Sequence, residues 1–87
     1  RSSLNRVACF LLQQQPSADA NAFEFDLPAR KQDIAAKLGL TQETFSRVLG
    51  FMQKQGFIRV DGCHILVDDG AALSGLSAMR DPKENVH

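Results

Sequence analysis

The sequence predicts an α+β chain, mainly α-helical, with a small antiparallel β-hairpin. Three observations carry that prediction. Apolar residues recur at helical spacing in two separate stretches, Leu4-Val7-Ala8-Leu11 and Phe45-Val48-Leu49-Met52. The tripeptide Gly39-Leu40-Thr41 makes a tight break between two helical stretches. Asp61-Gly62 lies between two short apolar runs, a strong hairpin signal. With 87 residues there is room for one domain and one modest core. A content of 44% hydrophobic and 23% charged residues is that of a globular chain rather than a disordered one.

The elements follow in order. Ser2 or Ser3 can cap a helix that runs toward Gln15, with Pro16 just beyond its end. Pro16 to Ala22 is small and polar and reads as a loop. Phe23 to Leu27 alternates apolar and acidic residues, the period of a half-buried strand. Ala29 to Leu38 reads as a short helix with Pro28 at its start, Ile34, Ala35 and Leu38 inward, and Gly39 as its stop. Thr41 caps the next helix, which ends at Gly56. Phe57–Val60 and Ile65–Val67 form the hairpin around Asp61-Gly62, and Ala71 to Leu76 has room for a last short helix. The domain is expected over residues 1–77, and residues 78–87 are expected to be a disordered polar tail. Two helices across a tight turn, followed by a hairpin, make a winged helix-turn-helix.

No apolar run is long enough to span a membrane, and no signal peptide is visible. Cys9 and Cys63 fit no metal spacing and read as reduced thiols, although a disulfide between them stays open. His64 and His87 stand without a nucleophile or a carboxylate pair nearby, so no catalytic residue is assigned and no enzyme is expected.

Net charge is zero, which argues against a polyanionic partner until its distribution is considered. Pro28 to Arg59 holds six basic residues against two acidic ones, or +4, and the flanks carry −4. A locally basic segment can steer a polyanion even on a neutral chain. With Phe45 turned inward, steps of about 100° put Glu43, Arg47, Gly50 and Lys54 on the far side of the helix, with Ser46 on one flank. In a helix-turn-helix, the N-terminal part of the second helix meets base edges. Arg can bond twice to guanine, Glu can accept from cytosine and Ser can bond several bases. The plain alternative is an exposed i,i+4 ion pair between Glu43 and Arg47, worth a few tenths of a kcal/mol. Thr41 and Thr44 near the helix start, and Arg30 and Lys31 at the start of the preceding helix, suit phosphate contact; they also suit capping or plain solvation.

The stretch IAAKLGLTQETFSRVLGFMQKQGFI, with the hairpin VDGCHILVDD and the preceding FEFDLPARKQ, resembles the DNA-binding domain of the CRP/FNR transcription regulators. The resemblance covers roughly Arg6 to Leu76. Its E-T-x-S-R run matches the FNR-type recognition helix, which implies that Glu43, Ser46 and Arg47 read a TTGA half-site, with Gln42 tuning the outer base pair. It implies a homodimer on an inverted repeat of TTGAT and ATCAA blocks in double-stranded DNA, contact with RNA polymerase, and a cytoplasmic location. It also implies an N-terminal β-roll sensor and a long dimerisation helix outside this fragment. Any effector (haem or nitric oxide, an iron–sulfur cluster, a cyclic nucleotide) would bind there, so no cofactor is expected in this chain. LPARKQ is similar to the nitric-oxide-responsive, DNR-like branch linked to denitrification. Cys9 and Cys63 do not match the FNR cluster motif. The rival reading is a winged helix used as a protein–protein interaction module. Its one support is Phe51, an apolar residue outside the stripe, expected to pack against the first helix.

Overall fold

A computed structural model describes residues 2–78. Its elements are α1 (Ser3–Leu12), β1 (Phe23–Asp26), α2 (Lys31–Lys37), α3 (Gln42–Lys54), β2 (Ile58–Asp61), β3 (His64–Val67) and α4 (Gly70–Ala78). The tail expected over residues 78–87 lies outside the described residues, except Ala78, which ends α4.

Local chemistry explains most of the boundaries. Ser2 caps α1, its Oγ accepting from the Asn5 amide at 3.2 Å. The helix stops at Leu12, short of the expected Gln15, because the next amides bond three residues back instead of four: Gln14 N donates to Leu11 O and Gln15 N to Leu12 O. Thr41 caps α3 in the same way, its Oγ1 accepting from the Thr44 amide at 3.1 Å.

Both α2 and α3 end in a Schellman motif. Leu40 N donates to Ala35 O and Gly39 N to Ala36 O, while Phe57 N donates to Met52 O and Gly56 N to Gln53 O. Each motif needs a left-handed residue at its first position beyond the cap. Gly39 (φ 73°) and Gly56 (φ 82°) supply it at no steric cost.

Four expectations need correction. The second helix begins at Lys31, not Ala29, because Arg30 is extended (φ −65°, ψ 149°) and serves as its N-cap; Pro28 and Ala29 lead into it. The hairpin loop is Gly62-Cys63 rather than Asp61-Gly62, since Asp61 pairs with His64 in the ladder. Gly62 alone has positive φ (62°), the II′ pattern with glycine first. The last helix is longer than Ala71–Leu76 because it starts one residue earlier on Asn21, which accepts from Gly70 N at 2.7 Å and Ala71 N at 2.8 Å, and runs on to Ala78. The wing is a three-stranded antiparallel sheet, β1-β3-β2, with Phe23 opposite Val67 and Ile58 opposite Val67 on the other side.

Strand alternation gives the sheet two unlike faces. Phe25, Ile58, Ile65 and Val67 point inward; Glu24, Asp26, Arg59 and Asp61 point out. The core joins the inner face to Val7, Ala8, Phe10 and Leu11 of α1, Ile34 and Ala35 of α2, Phe45, Leu49 and Met52 of α3, and Leu73 of α4. Phe45 sits at its centre, fully buried and edge-on to Phe10 with ring centroids 6.4 Å apart. Asn5, buried on α1, donates from its side chain to Leu76 O and so ties α1 to α4. With its inner stripe anchored this way, α3 presents the opposite face to solvent.

Candidate nucleic-acid interface

The exposed face of α3 brings the predicted residues together. Gln42, Glu43, Ser46 and Arg47 are all exposed over its first two turns. Arg47 Nη2 donates to Glu43 Oε1 at 2.7 Å, with the two side chains 70% and 82% exposed. A pair this exposed adds little stability. It does bring one guanidinium nitrogen onto the carboxylate on the exposed face of the helix.

The phosphate candidates are dispersed around that face. Thr41 Oγ1 accepts from the Thr44 amide and donates to Thr44 Oγ1 at 2.9 Å, so both hydroxyls already serve the start of α3. Arg30 is exposed and makes no side-chain cap bond, and Lys31 is half-buried at the first position of α2.

Three polar contacts were not legible in the sequence. Arg6 Nη1 donates to Leu38 O at 3.3 Å and Gly39 O at 3.5 Å, holding the turn between α2 and α3. Arg59 donates twice to Asp68, at 2.9 and 2.8 Å. That fork raises the Arg59 pKa and lowers that of Asp68, through the hydrogen bonds first and their charges next. The Arg59 charge counted in the basic segment is therefore met locally. Gln53 Oε1 accepts from Val60 N at 2.7 Å and joins the last turn of α3 to edge strand β2. Its sequence signal is slight: it lies seven residues after Ser46 on the same flank.

His64, single in the sequence, lies between two carboxylates. Nδ1 is 2.8 Å from Asp26 and Nε2 3.1 Å from Glu24. The bond to Asp26, then the bond to Glu24, raises the imidazole pKa. Among the described residues no metal-binding cluster occurs and no disulfide forms; Cys9 is half-buried in α1 and Cys63 exposed in the hairpin loop. Phe51, 44% exposed, borders the cap residue Ser2 and Ser3 and Leu4 of α1, as expected, but is not buried by them. No helix is long and apolar enough to cross a membrane among the described residues.

Comparison with known proteins identifies the family. The profile of the Crp-like helix-turn-helix domain matches residues 5–76. The anaerobic regulatory protein of Pasteurella multocida is 41% identical over 75 residues, covering 83% of this chain and 28% of that protein. The fumarate and nitrate reduction regulatory protein of Escherichia coli is 44% identical over 80 residues, covering 88% of this chain and 32% of that protein. The chain thus spans about a third of these relatives. Among solved structures, FixK2 from Bradyrhizobium japonicum superimposes with a TM-score of 0.77 at 34% identity, over 92% of this chain and 40% of that one. A CRP/FNR-family transcriptional regulator from Thermus thermophilus gives 0.74 at 27% identity, over 93% of this chain and 43% of that one. The chain belongs to the Crp-like helix-turn-helix family, the DNA-binding domain of CRP/FNR transcription regulators and not an enzyme.

Proposed function

We propose that α3 enters the major groove of double-stranded DNA and reads a TTGAT-like half-site. The observation that carries this reading is the Glu43–Arg47 pair, held at 2.7 Å on the exposed face of a capped helix with Ser46 beside it. A guanidinium steadied on one edge presents its remaining donors at a defined angle, as guanine O6 and N7 require. Glu43 keeps an oxygen for a cytosine amino group. Ser46 supplies a short, adaptable partner, and Gln42 at the helix start tunes the outer base pair. Arg30, Lys31, Thr41 and Thr44 contact phosphates and set the register without reading sequence.

In the longer protein the domain works in a cytoplasmic homodimer on an inverted repeat and contacts RNA polymerase. A sensor domain outside this chain holds the effector: haem or nitric oxide, an iron–sulfur cluster, or a cyclic nucleotide. The names of the relatives, which concern anaerobic regulation and fumarate and nitrate reduction, support a respiratory regulon. LPARKQ favours the nitric-oxide-responsive, DNR-like branch within it.

Fluorescence anisotropy tests the reading. A duplex with TTGAT and ATCAA blocks is titrated against one with both blocks scrambled. The first is expected to bind more tightly, and Arg47→Ala to lose about 1–3 kcal/mol on it and relax one base pair. Equal affinity of the wild type for both duplexes would remove the assigned half-site.

A further inference from the structure

A shallow cleft of about 230 Å³ lies where α2, α3 and β2 meet, lined by Lys31, Ser46, Leu49, Gly50, Gln53 and Val60. We propose that this cleft seats one backbone phosphate of the bound DNA, with the Gln53 amide as a donor additional to the residues assigned to base reading and phosphate contact. The proposal rests on the DNA-binding reading and deepens it by adding a residue and a place.

The chemistry of the lining is one-sided. Lys31 contributes an ammonium that makes no ion pair among the described residues. No carboxylate lines the cleft. Gln53 is oriented. Its Oε1 is taken by the outward amide of edge strand β2, at 2.7 Å from Val60 N. An amide whose oxygen is fixed has its nitrogen fixed as well, and both Nε2 hydrogens are unspent among the described residues. The edge strand gains an acceptor for a backbone donor that would otherwise invite strand pairing. The cleft gains two directed donors.

Gly50 also lines the cleft. A Cβ there would meet nothing within 4 Å, so glycine is not required by packing inside the protein. Glycine in a helix interior is unfavourable, and its use here is access: the helix backbone can come close to a sugar-phosphate chain. Gly50 also lies on the outward side with Glu43 and Arg47, so a strand at the cleft borders the groove that α3 reads.

The test is anisotropy with the TTGAT duplex and its scrambled counterpart at one pH and about 0.1 M salt, where screening is moderate. Gln53→Glu keeps an acceptor for Val60 N and turns the donors into a negative charge. It is expected to weaken both duplexes alike by roughly tenfold or more, because phosphate contacts carry no sequence information. Val60 amide exchange in the free variant should stay slow, showing that the tie to β2 is intact. Duplexes carrying one neutral methylphosphonate, walked along each strand, should contain a position where the Gln53→Glu penalty disappears. The same position should be the one to which Lys31→Gln has become insensitive. Binding of Gln53→Glu within twofold of wild type overturns the proposal, as does relief of the two variants at different phosphates. If Gln53→Glu is neutral while Arg47→Ala loses discrimination, the cleft assignment falls and the base-reading face stands. Failure of the wild type to bind either duplex sinks both.

Discussion

Two glycines within the helix-turn-helix, one in its turn and one in its second helix, should respond to the same substitution with opposite signs. Gly50 lies in the interior of α3, exposed, with open space where a Cβ would project. Alanine is better than glycine in such a position by about 0.8–1 kcal/mol, partly because glycine frees the unfolded chain. Nothing in the fold opposes that gain, so Gly50→Ala should stabilise by about 1 kcal/mol. For a domain of this size that is a rise of roughly 4–8 °C in Tm. Gly39 is the reverse case. It holds φ at 73° in the Schellman turn, and its Cβ would stand 3.2 Å from Arg6 Nη1. Left-handed backbone costs an L-residue about 1–2 kcal/mol, and displacing Arg6 weakens its bonds to Leu38 O and Gly39 O. Gly39→Ala should therefore lower stability by about 1–2 kcal/mol. Urea unfolding followed by far-UV circular dichroism measures both, with an unchanged denaturant slope as the control for a two-state transition. A Gly50→Ala variant less stable than wild type would show that the outer face of α3 is not open. A neutral Gly39→Ala would mean that the turn does not need its left-handed residue.

Other substitutions probe the core, the cap and the wing. Phe45→Ala removes a fully buried ring that packs edge-on against Phe10. It should cost about 3–5 kcal/mol, enough to unfold much of a marginally stable domain, as shown by loss of amide dispersion in NMR spectra. Thr41→Ala should cost about 1 kcal/mol by removing the acceptor of the Thr44 amide, while Thr41→Ser should retain it; chemical denaturation ranks the two. For His64 the sign follows from its raised pKa. A group that binds its proton more tightly when folded stabilises fully below the unfolded value of 6.5, and loses that contribution as pH rises through the folded value. Stability of the wild type should thus fall from pH 6.5 upward across neutrality, and His64→Gln should flatten that slope in a urea series.

Much of the fold could be read from the chain because its signals are local. The apolar stripes of α1 and α3, the Ser2 and Thr41 caps, and the stops at Gly39 and Gly56 each depend on residues within a turn or two of one another. Helical spacing acts in the same local way: it puts Glu43 and Arg47 on the outward side of α3, with Ser46 on one flank. Where local signals competed, the boundaries moved. Pro28 suits a helix start, but an extended Arg30 delays α2 to Lys31. Asp61-Gly62 suits a hairpin loop, but the pairing of β2 with β3 takes Asp61 into the ladder and leaves Gly62-Cys63 to turn.

The sequence by itself determined the element types, their order, the inward stripe and hence the outward face of α3. Those follow from period, cap and turn chemistry, which act between near neighbours and leave a mark in residue spacing. Tertiary structure alone decided that β1 joins the hairpin across some forty residues of chain, that Arg59 pairs with Asp68, and that His64 lies between Asp26 and Glu24. It alone set Gln53 against the amide of Val60 and opened the cleft beside Lys31. Each of these depends on how helices and sheet pack around Phe45 in three dimensions, and a one-dimensional pattern carries no record of which distant polar groups that packing will bring within hydrogen-bonding reach.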